Sequence, residues 1–408
     1  MAINKFVDRQ GNTLLDLSVD SVSPSKVLAG TTYHGPDGAQ HIGTLDPGPL
    51  DYSQYNFIDY DGTLLYSYTD EELDALTALP AGPDHTGDNL TFQEWNWTLA
   101  DLKAWDRTRP DRPLIGANYV TTDGKSYLYL DTPYSGATLS FKTDDTLNSV
   151  DWGDGTTDTN TSHVYANPGQ YVIVIDMAEG GSWYFESWST STSTNKQWIK
   201  MIKLGNIKKI GGNGNCNSIQ SISIPNSVIS INSSAFSSWT NLTNIIIPNG
   251  VTSIPYNGFL GCYSLQNISI PNSVTSIGNQ VFNNCYSLKR ISIPNSVTSF
   301  ADGMFSNCNS LQSILIPDSI TSIGSSTFYN CYSLQNISIP NSVTSIGNNA
   351  FFNSHLTLDL TKQTKVITLS SSIGLHPNYN KILVPNSLLG NYKSAPYWSN
   401  YAASIVGV

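Results

Sequence analysis

Acidic side chains are what the second half of this chain has least of. Residues 201–408 hold 3 acidic and 9 basic residues, against 28 and 11 in residues 1–200, so the halves balance at +6 and −17 and sum to the net −11. A glycan-cleaving site needs two carboxylates flanking its substrate. Between Leu204 and Phe352 only Asp302 and Asp318 are available, 16 residues apart, which argues against depolymerase chemistry there. Basic residues are sparse too. Neutralising a phosphate backbone takes a stripe of Lys and Arg, and this half offers the pairs Lys208-Lys209 and Lys289-Arg290, so nucleic acid is not an expected partner. No apolar run is long enough to cross a bilayer, and no membrane insertion is expected. No Ser-His-Asp grouping carries a local motif and no glycine-rich phosphate loop occurs; the expectation is a protein that is not an enzyme and takes no cofactor. The five cysteines form no CxxC pair and have no histidine nearby to complete a tetrahedral set, so zinc is not expected either.

What the second half does have is a period. Pro225, Pro248, Pro271, Pro294, Pro317 and Pro340 follow one another at intervals of 23 residues, each inside an Ile-Pro motif. A fixed period of this length means a stacked solenoid, in which each unit buries its apolar side against its neighbours. In the unit Ser264–Tyr286, Leu265, Ile268 and Ile270 read as a short strand that stops at Pro271, because proline cannot donate to a ladder. Asn272-Ser273 makes a turn through side-chain bonds to its own backbone. Val274, Ile277, Phe282 and Cys285 then return to the core from the far side of the coil. The expected result is one parallel sheet with all six prolines just past strand ends. Cys262, Cys285, Cys308 and Cys331 keep the same period, with Trp239 in the slot before them and Cys216 one slot earlier. Such a column reads as buried free thiols acting as small apolar residues.

The Ile-Pro-x-Ser-Val, Ile-Gly-x-x-x-Phe and Asn-Cys-x-Ser-Leu blocks of this unit resemble the BspA-like branch of the leucine-rich repeats. The resemblance covers roughly residues 204–408. Its end fits as well: Ile382–Ser387, Tyr392-Lys393 and Trp398–Ala402 look like the closing cap of that family. Pro385 falls 45 residues after Pro340, so residues 353–380 read as a degenerate coil at the start of the cap.

The first half divides further. The expected fold is multidomain and mainly β: an attachment-like β-rich region at 1–50, a small α+β unit at 51–112, a PKD-like β-sandwich at 113–200, the leucine-rich-repeat solenoid at 201–384 and a cap at 385–408. Val27–Leu45 resembles a segment recurrent in phage tail and other structural proteins, with Leu-x-Gly-x-Thr before an Asp-Gly turn and an Ile-x-Gly-Thr ending. His34 and His41 within it lack acidic or cysteine partners and read as turn and surface residues. In the second unit, Asp61-Gly62 between apolar runs signals a hairpin, Thr69-Asp70-Glu71-Glu72 a capping box, and Thr98 with Asp101 a second helix start. Trp95, Trp97 and Trp105 supply its core. Glu71, Glu72, Asp74 and Glu94 are carboxylates that the helix dipole accounts for. Trp152-Gly153-Asp154-Gly155, His163-Val164-Tyr165 and Tyr171 resemble the PKD-like sandwich. Asp151, Asp154 and Asp158 serve its turn, with calcium as the other use of those oxygens.

Two function classes follow from these resemblances. In the first, the chain is a phage tail fibre or tip protein in the virion: its N-terminal region joins other tail proteins, it is trimeric by analogy with tail fibres, and its repeats recognise a host-surface glycan or protein. In the second, it is a bacterial cell-surface or secreted adhesin. Met1–Arg9 shows no basic start followed by an apolar run, which reads in favour of the first. The candidate binding residues are those that break an otherwise small polar exterior: Ile246, Arg290 and Leu315 on the strand face, and Tyr263, Tyr286 and Tyr332 one residue past the cysteine column. An aromatic ring beside amides and hydroxyls suits a sugar, and aromatic and Arg residues lead protein hot spots.

Overall fold

The computed structural model describes residues 51–408 apart from 52, 110, 133, 144–145, 179–180, 185–197, 213–215 and 377–379. Within the first fifty residues it describes only the backbone of β1 (Lys5–Val7), β2 (Thr13–Asp16), β3 (Thr32–His34) and β4 (Gln40–Ile42), paired β1 with β2 and β3 with β4. The attachment expected of residues 1–50 and the roles of His34 and His41 lie outside the described residues.

The small α+β unit forms as its local signals dictate. β5 (Tyr55–Ile58) and β6 (Leu64–Tyr68) are joined through Gly62 at φ 93°, where the Asp61 carboxylate accepts from Thr63 N at 2.9 Å. Thr69 caps α1 (Asp70–Ala75): its hydroxyl accepts from Glu72 N at 3.3 Å and Glu72 Oε2 accepts from Thr69 N at 2.8 Å, so two end amides are satisfied at once. β7 (Leu90–Trp95) and α2 (Leu99–Lys103) follow, with Trp95, Trp97 and Trp105 buried. β8 (Leu114–Thr121) pairs parallel to β5 and antiparallel to β7, giving the order β6-β5-β8-β7. The sheet of this unit therefore runs to Thr121, past the expected boundary at 112, because the chain must return alongside β5 to close it.

β9 (Ser126–Thr132), β10 (Ala137–Ser140), β11 (Lys142–Thr143), β12 (Leu147–Asp151), β13 (Thr157–Asp158), β14 (Ser162–Tyr165), β15 (Gly169–Met177) and β16 (Gly181–Tyr184) form the next β region. One sheet is ordered β13-β12-β15-β9-β17, with β17 (Ile199–Lys203) as its edge, and β10 pairs with β14. Trp152 is fully buried, donates to Asp158 Oδ1 at 2.9 Å and accepts at its carbonyl from Tyr165 Oη at 3.1 Å. Gly153, at φ 80°, lies against Val172, whose carbonyl oxygen would stand 2.6 Å from an added Cβ. Only glycine fits that turn.

The sheets do not stop where the repeats begin. β16 pairs parallel to β18 (Ile207–Gly211), which pairs parallel to the first strand of the solenoid, Ser230–Ile231. One contiguous core runs from Leu128 to Ile405.

The solenoid carries two parallel ribbons where one sheet was expected. The first contains Asn244–Ile246, Asn267–Ser269, Asn336–Ser338, Thr357–Asp359, Lys381–Val384 and Ile405–Gly407. The second is built of two-residue strands at Ser230, Ser253, Ser276, Ser322, Ser345 and Thr368. Pro248, Pro271 and Pro340 lie two residues beyond a first-ribbon strand; the segments before Pro225, Pro294 and Pro317 make no ladder there. Yet the six prolines share one role. Each carbonyl accepts from the amide three residues on, at Val228, Val251, Val274, Val297, Ile320 and Val343, over 3.0–3.1 Å. Proline thus opens a tight turn in every coil.

Two further positions per coil have positive φ: Ser234, Asn257, Gln280, Gly303, Ser326 and Asn349, then Ser238, Gly261, Asn284, Asn307, Asn330 and Asn353. Stacking repeats this geometry as ladders. Phe236, Phe259, Phe282, Phe305, Phe328 and Phe351 stack with centroids 5.3–5.8 Å apart and ring planes within 11°. Asn307, Asn330 and Asn353 each donate to the amide oxygen one coil back, at 2.9, 2.8 and 3.0 Å. Thr357–Asp359 and Thr368–Leu369 continue the two ribbons beyond the six regular coils, and Tyr392 and Trp398 of the cap close over them, Trp398 Nε1 donating to Ile367 O at 2.7 Å.

Candidate functional site

The strand face of the solenoid carries the expected outward column Ser223, Ile246, Ser269, Ser292, Leu315 and Ser338. The chain covers the first four of these positions with its own small unit. Tyr119 N donates to Ser223 Oγ at 3.1 Å, Asn96 Nδ2 to Ser269 Oγ at 2.7 Å, Ser269 Oγ to Leu114 O, and Ser292 Oγ to Asp111 Oδ2 at 3.0 Å. Ile246 is 1% exposed and sits against Gly116 of β8, where its side chain leaves no room for a Cβ. The assignment of Ile246 to a receptor surface is therefore corrected: it is an apolar anchor between two parts of one chain.

A second row holds this contact. The Asn that follows each motif proline meets the small unit in four successive coils: Asn226 accepts from Asn118 Nδ2 at 2.7 Å, Asn249 donates to Trp95 O at 3.4 Å, Asn272 donates to Asp101 Oδ1 at 3.2 Å, and Asn295 accepts from Arg109 Nη1 at 2.9 Å. Arg109 also donates to Ile293 O at 3.1 Å and is chelated by Asp111. Read in sequence as a turn former, this asparagine is also a docking residue. In the next two coils the row becomes Asp318 and Asn341, both exposed. Near β17 a partly buried charge cluster closes the seam. His85 lies between Asp59 (2.7 Å) and Asp88 (3.3 Å), whose hydrogen bonds raise its pKa to about 10, while Lys203 Nζ donates to Asp88 O.

Leu315 is half-exposed and Arg290 exposed, both beyond the covered coils or at their rim. The tyrosine column stays open as well. Tyr263, Tyr286 and Tyr332 are 45, 38 and 54% exposed, and Tyr263 stacks on Tyr286 with centroids 4.9 Å apart and planes 15° from parallel. The backbone holds the column in equivalent places: the amides of Tyr263, Tyr286, Asn309 and Tyr332 donate two residues back, at 2.9–3.0 Å. Of the six expected binding residues, the fold thus brings Tyr263 and Tyr286 together, aligns Tyr332 with them, and sets Ile246, Arg290 and Leu315 on the strand face.

Behind the tyrosines, the thiols of Cys262, Cys285, Cys308 and Cys331 each donate to a phenylalanine carbonyl 26 residues earlier, over 3.1–3.3 Å, and Ser354 Oγ does the same at 2.7 Å. All five cysteines are free and buried. Burial pushes Cys262 and Cys331 up to about 12 and Cys285 and Cys308 well above the ordinary thiol value. In the β region, Asp151 accepts from Gly153 N, Asp154 from Thr156 N and from His163 at 2.7 Å, and Asp158 from Trp152 and Asn160. Each carboxylate is engaged in its own turn, and among the described residues no three His, Cys, Asp or Glu side chains come together to hold a metal. No helix among them is long and apolar enough to cross a membrane.

Residues 208–332 and 300–391 match, in six copies, the family model described as a BspA type leucine rich repeat region. The solenoid is thus built of BspA-type repeats. Similar solved structures include a leucine-rich repeat protein from Bacteroides ovatus ATCC 8483, 24% identical over 51% of this chain and 61% of that one at a TM-score of 0.38. A leucine rich cell surface protein from Faecalibacterium prausnitzii A2-165 is 31% identical over 46% and 51%, at 0.36. A T. pallidum leucine rich repeat protein is 23% identical over 42% and 78%, at 0.33. The chain thus spans 61% and 51% of the first two. No curated protein matches it.

Proposed function

We propose that this chain is a non-enzymatic adhesin of a bacterial cell surface, whose repeat solenoid recognises a glycan or protein through its tyrosine edge. The observation that carries this reading is the edge itself. On a solenoid of BspA-type repeats whose strand face is already occupied through Ser292, three aromatic rings are left outward in one column. Exposed tyrosines have a large contact area and lose little side-chain freedom on binding. The test is adhesion of beads coated with the intact chain to cultured epithelial cells and to bacterial cells. Replacing Tyr263, Tyr286 and Tyr332 together by Ser should abolish adhesion while circular dichroism and the melting temperature stay unchanged. Undiminished adhesion by that variant would place recognition elsewhere.

A second reading is favoured by one observation, the phage-like segment Val27–Leu45. In it the same edge recognises a host from a virion tail, residues 1–50 join other tail proteins, the chain is trimeric, and the PKD-like sandwich around Trp152 is a spacer. Mass spectrometry separates the two readings: the chain belongs in purified virions under this one, and among peptides shaved from intact cells under the first. Light scattering decides the trimer.

A further inference from the structure

The tyrosine column has a missing rung. Tyr263 and Tyr286 occupy adjacent coils and stack, Asn309 takes the next coil, and Tyr332 the one after. Parallel strands rise about 4.8 Å per coil, so Tyr286 and Tyr332 are separated along the ladder by about 9.6 Å on the same spacing. A ring centred between them would lie about 4.8 Å from each, which matches the 4.9 Å at which Tyr263 already stacks on Tyr286. Asn309 does not fill the gap. With its amide oriented so that the nitrogen faces the neighbouring carbonyls, Asn309 donates to Asn307 O at 3.3 Å and Asn330 O at 3.0 Å, which ties the side chain down along the coil.

We propose that this gap is a binding slot for one neutral pyranose ring of a glycan, held between Tyr286 and Tyr332 over Asn309. The inference deepens the recognition reading above and rests on it. The columns beside the slot decide the ligand class. On the turn side runs the amide ladder Asn284, Asn307 and Asn330; on the strand side run the half-exposed serines Ser287, Ser310 and Ser333. A pyranose presents C–H faces to both tyrosines and hydroxyls at its rim to the amides and serines. An aromatic side chain of a protein would stack equally well but would desolvate those polar columns without bonding them, which is costly. None of these columns contains a charged residue, so the sugar is a neutral one.

The experiment is isothermal titration of the intact chain with four neutral probes: cellohexaose, xylohexaose, mannohexaose and galactohexaose. At least one should bind. Asn309→Tyr supplies the missing rung, so it should weaken that binding by about tenfold or more, the loss of two ring contacts, without lowering the melting temperature. Tyr332→Ser should weaken it similarly, while Tyr256→Ser, an exposed tyrosine outside this column, should leave it within about threefold. Unchanged affinity of Asn309→Tyr overturns the proposal, and so does failure of all four sugars to bind. A tryptophan-containing peptide that binds the intact chain and loses affinity in Asn309→Tyr, where no sugar binds, overturns it in favour of a protein ligand. Cell adhesion of the intact chain keeps the two levels apart: adhesion that survives Asn309→Tyr alongside unaltered sugar binding removes the slot and leaves the recognition reading standing.

Discussion

Each cysteine from Cys262 to Cys331 does two jobs with one small side chain. It fills the core beside the phenylalanine stack, and its thiol donates a second hydrogen bond to a carbonyl that already accepts from the amide three residues on. Ser354 shows that a hydroxyl serves the same bond, at 2.7 Å. Cys308→Ser should therefore keep most of the stability, whereas Cys308→Ala removes one of the two donors to the Phe282 carbonyl, leaving only the Cys285 amide, and should cost about 1 kcal/mol more, measured by urea denaturation. Iodoacetamide at pH 8 should leave all five thiols unmodified in the native chain and modify all five in urea. The folded state holds the column protonated, with Cys262 and Cys331 at about 12 against an ordinary 9.0. The stability this contributes is complete below the unfolded thiol value and is lost as pH rises from there toward 12, so melting temperature should fall over that window and fall less in Cys→Ser variants. The burial of these residues is readable from their period. Their hydrogen bonds are not, because the acceptor lies 26 residues back and depends on how far one coil is offset from the next.

At the scale of elements, the alternation Ile245, Ile246, Ile247 correctly sends Ile246 away from the solenoid core, but outward at this position does not mean toward solvent. The cover comes from β8, well over a hundred residues earlier, and no local pattern announces so distant a contact. The available signal is compositional: one Ile among serines in the outward column, and a glycine at position 116 between Ile115 and Ala117 of β8. Gly116→Val should drive a side chain into Ile246 and destabilise the docked unit by roughly 1–3 kcal/mol, the usual cost of overpacking. Limited proteolysis should then release the 51–122 unit while the repeats resist; a digestion pattern identical to the parent's would show that Gly116 does not set the contact. The caps, the Asp-Gly hairpin and the proline turns are legible for the opposite reason, since each is decided within four residues.

For the whole molecule, the decisive fact is that the core is not divided where the sequence changes character. A solenoid needs its open ends closed; here β16 and β18 of the preceding β region close one end, and Tyr392 and Trp398 the other. Charge separates the chain near residue 200, but packing runs through that point, and composition reports surfaces better than it reports cores. The intact chain should therefore unfold from the β region to the cap in one denaturant transition. A chain starting at residue 212 should lose that cooperativity and precipitate, because Ile231 and its neighbours would lose the strand they pair with; a soluble product with an unaltered midpoint would contradict this. The asparagine row adds a consequence for how such proteins vary in length. All four docked asparagines belong to coils up to Asn295, and the same row is exposed at Asp318 and Asn341 in the two coils that follow. Duplicating or deleting a 23-residue unit beyond Pro317 would change the reach of the free end in increments of about 4.8 Å and leave those four docking bonds in place. The length of the arm is thus an adjustable quantity, like the notches of a rule, that inheritance can reset by unequal recombination without redesigning the joint.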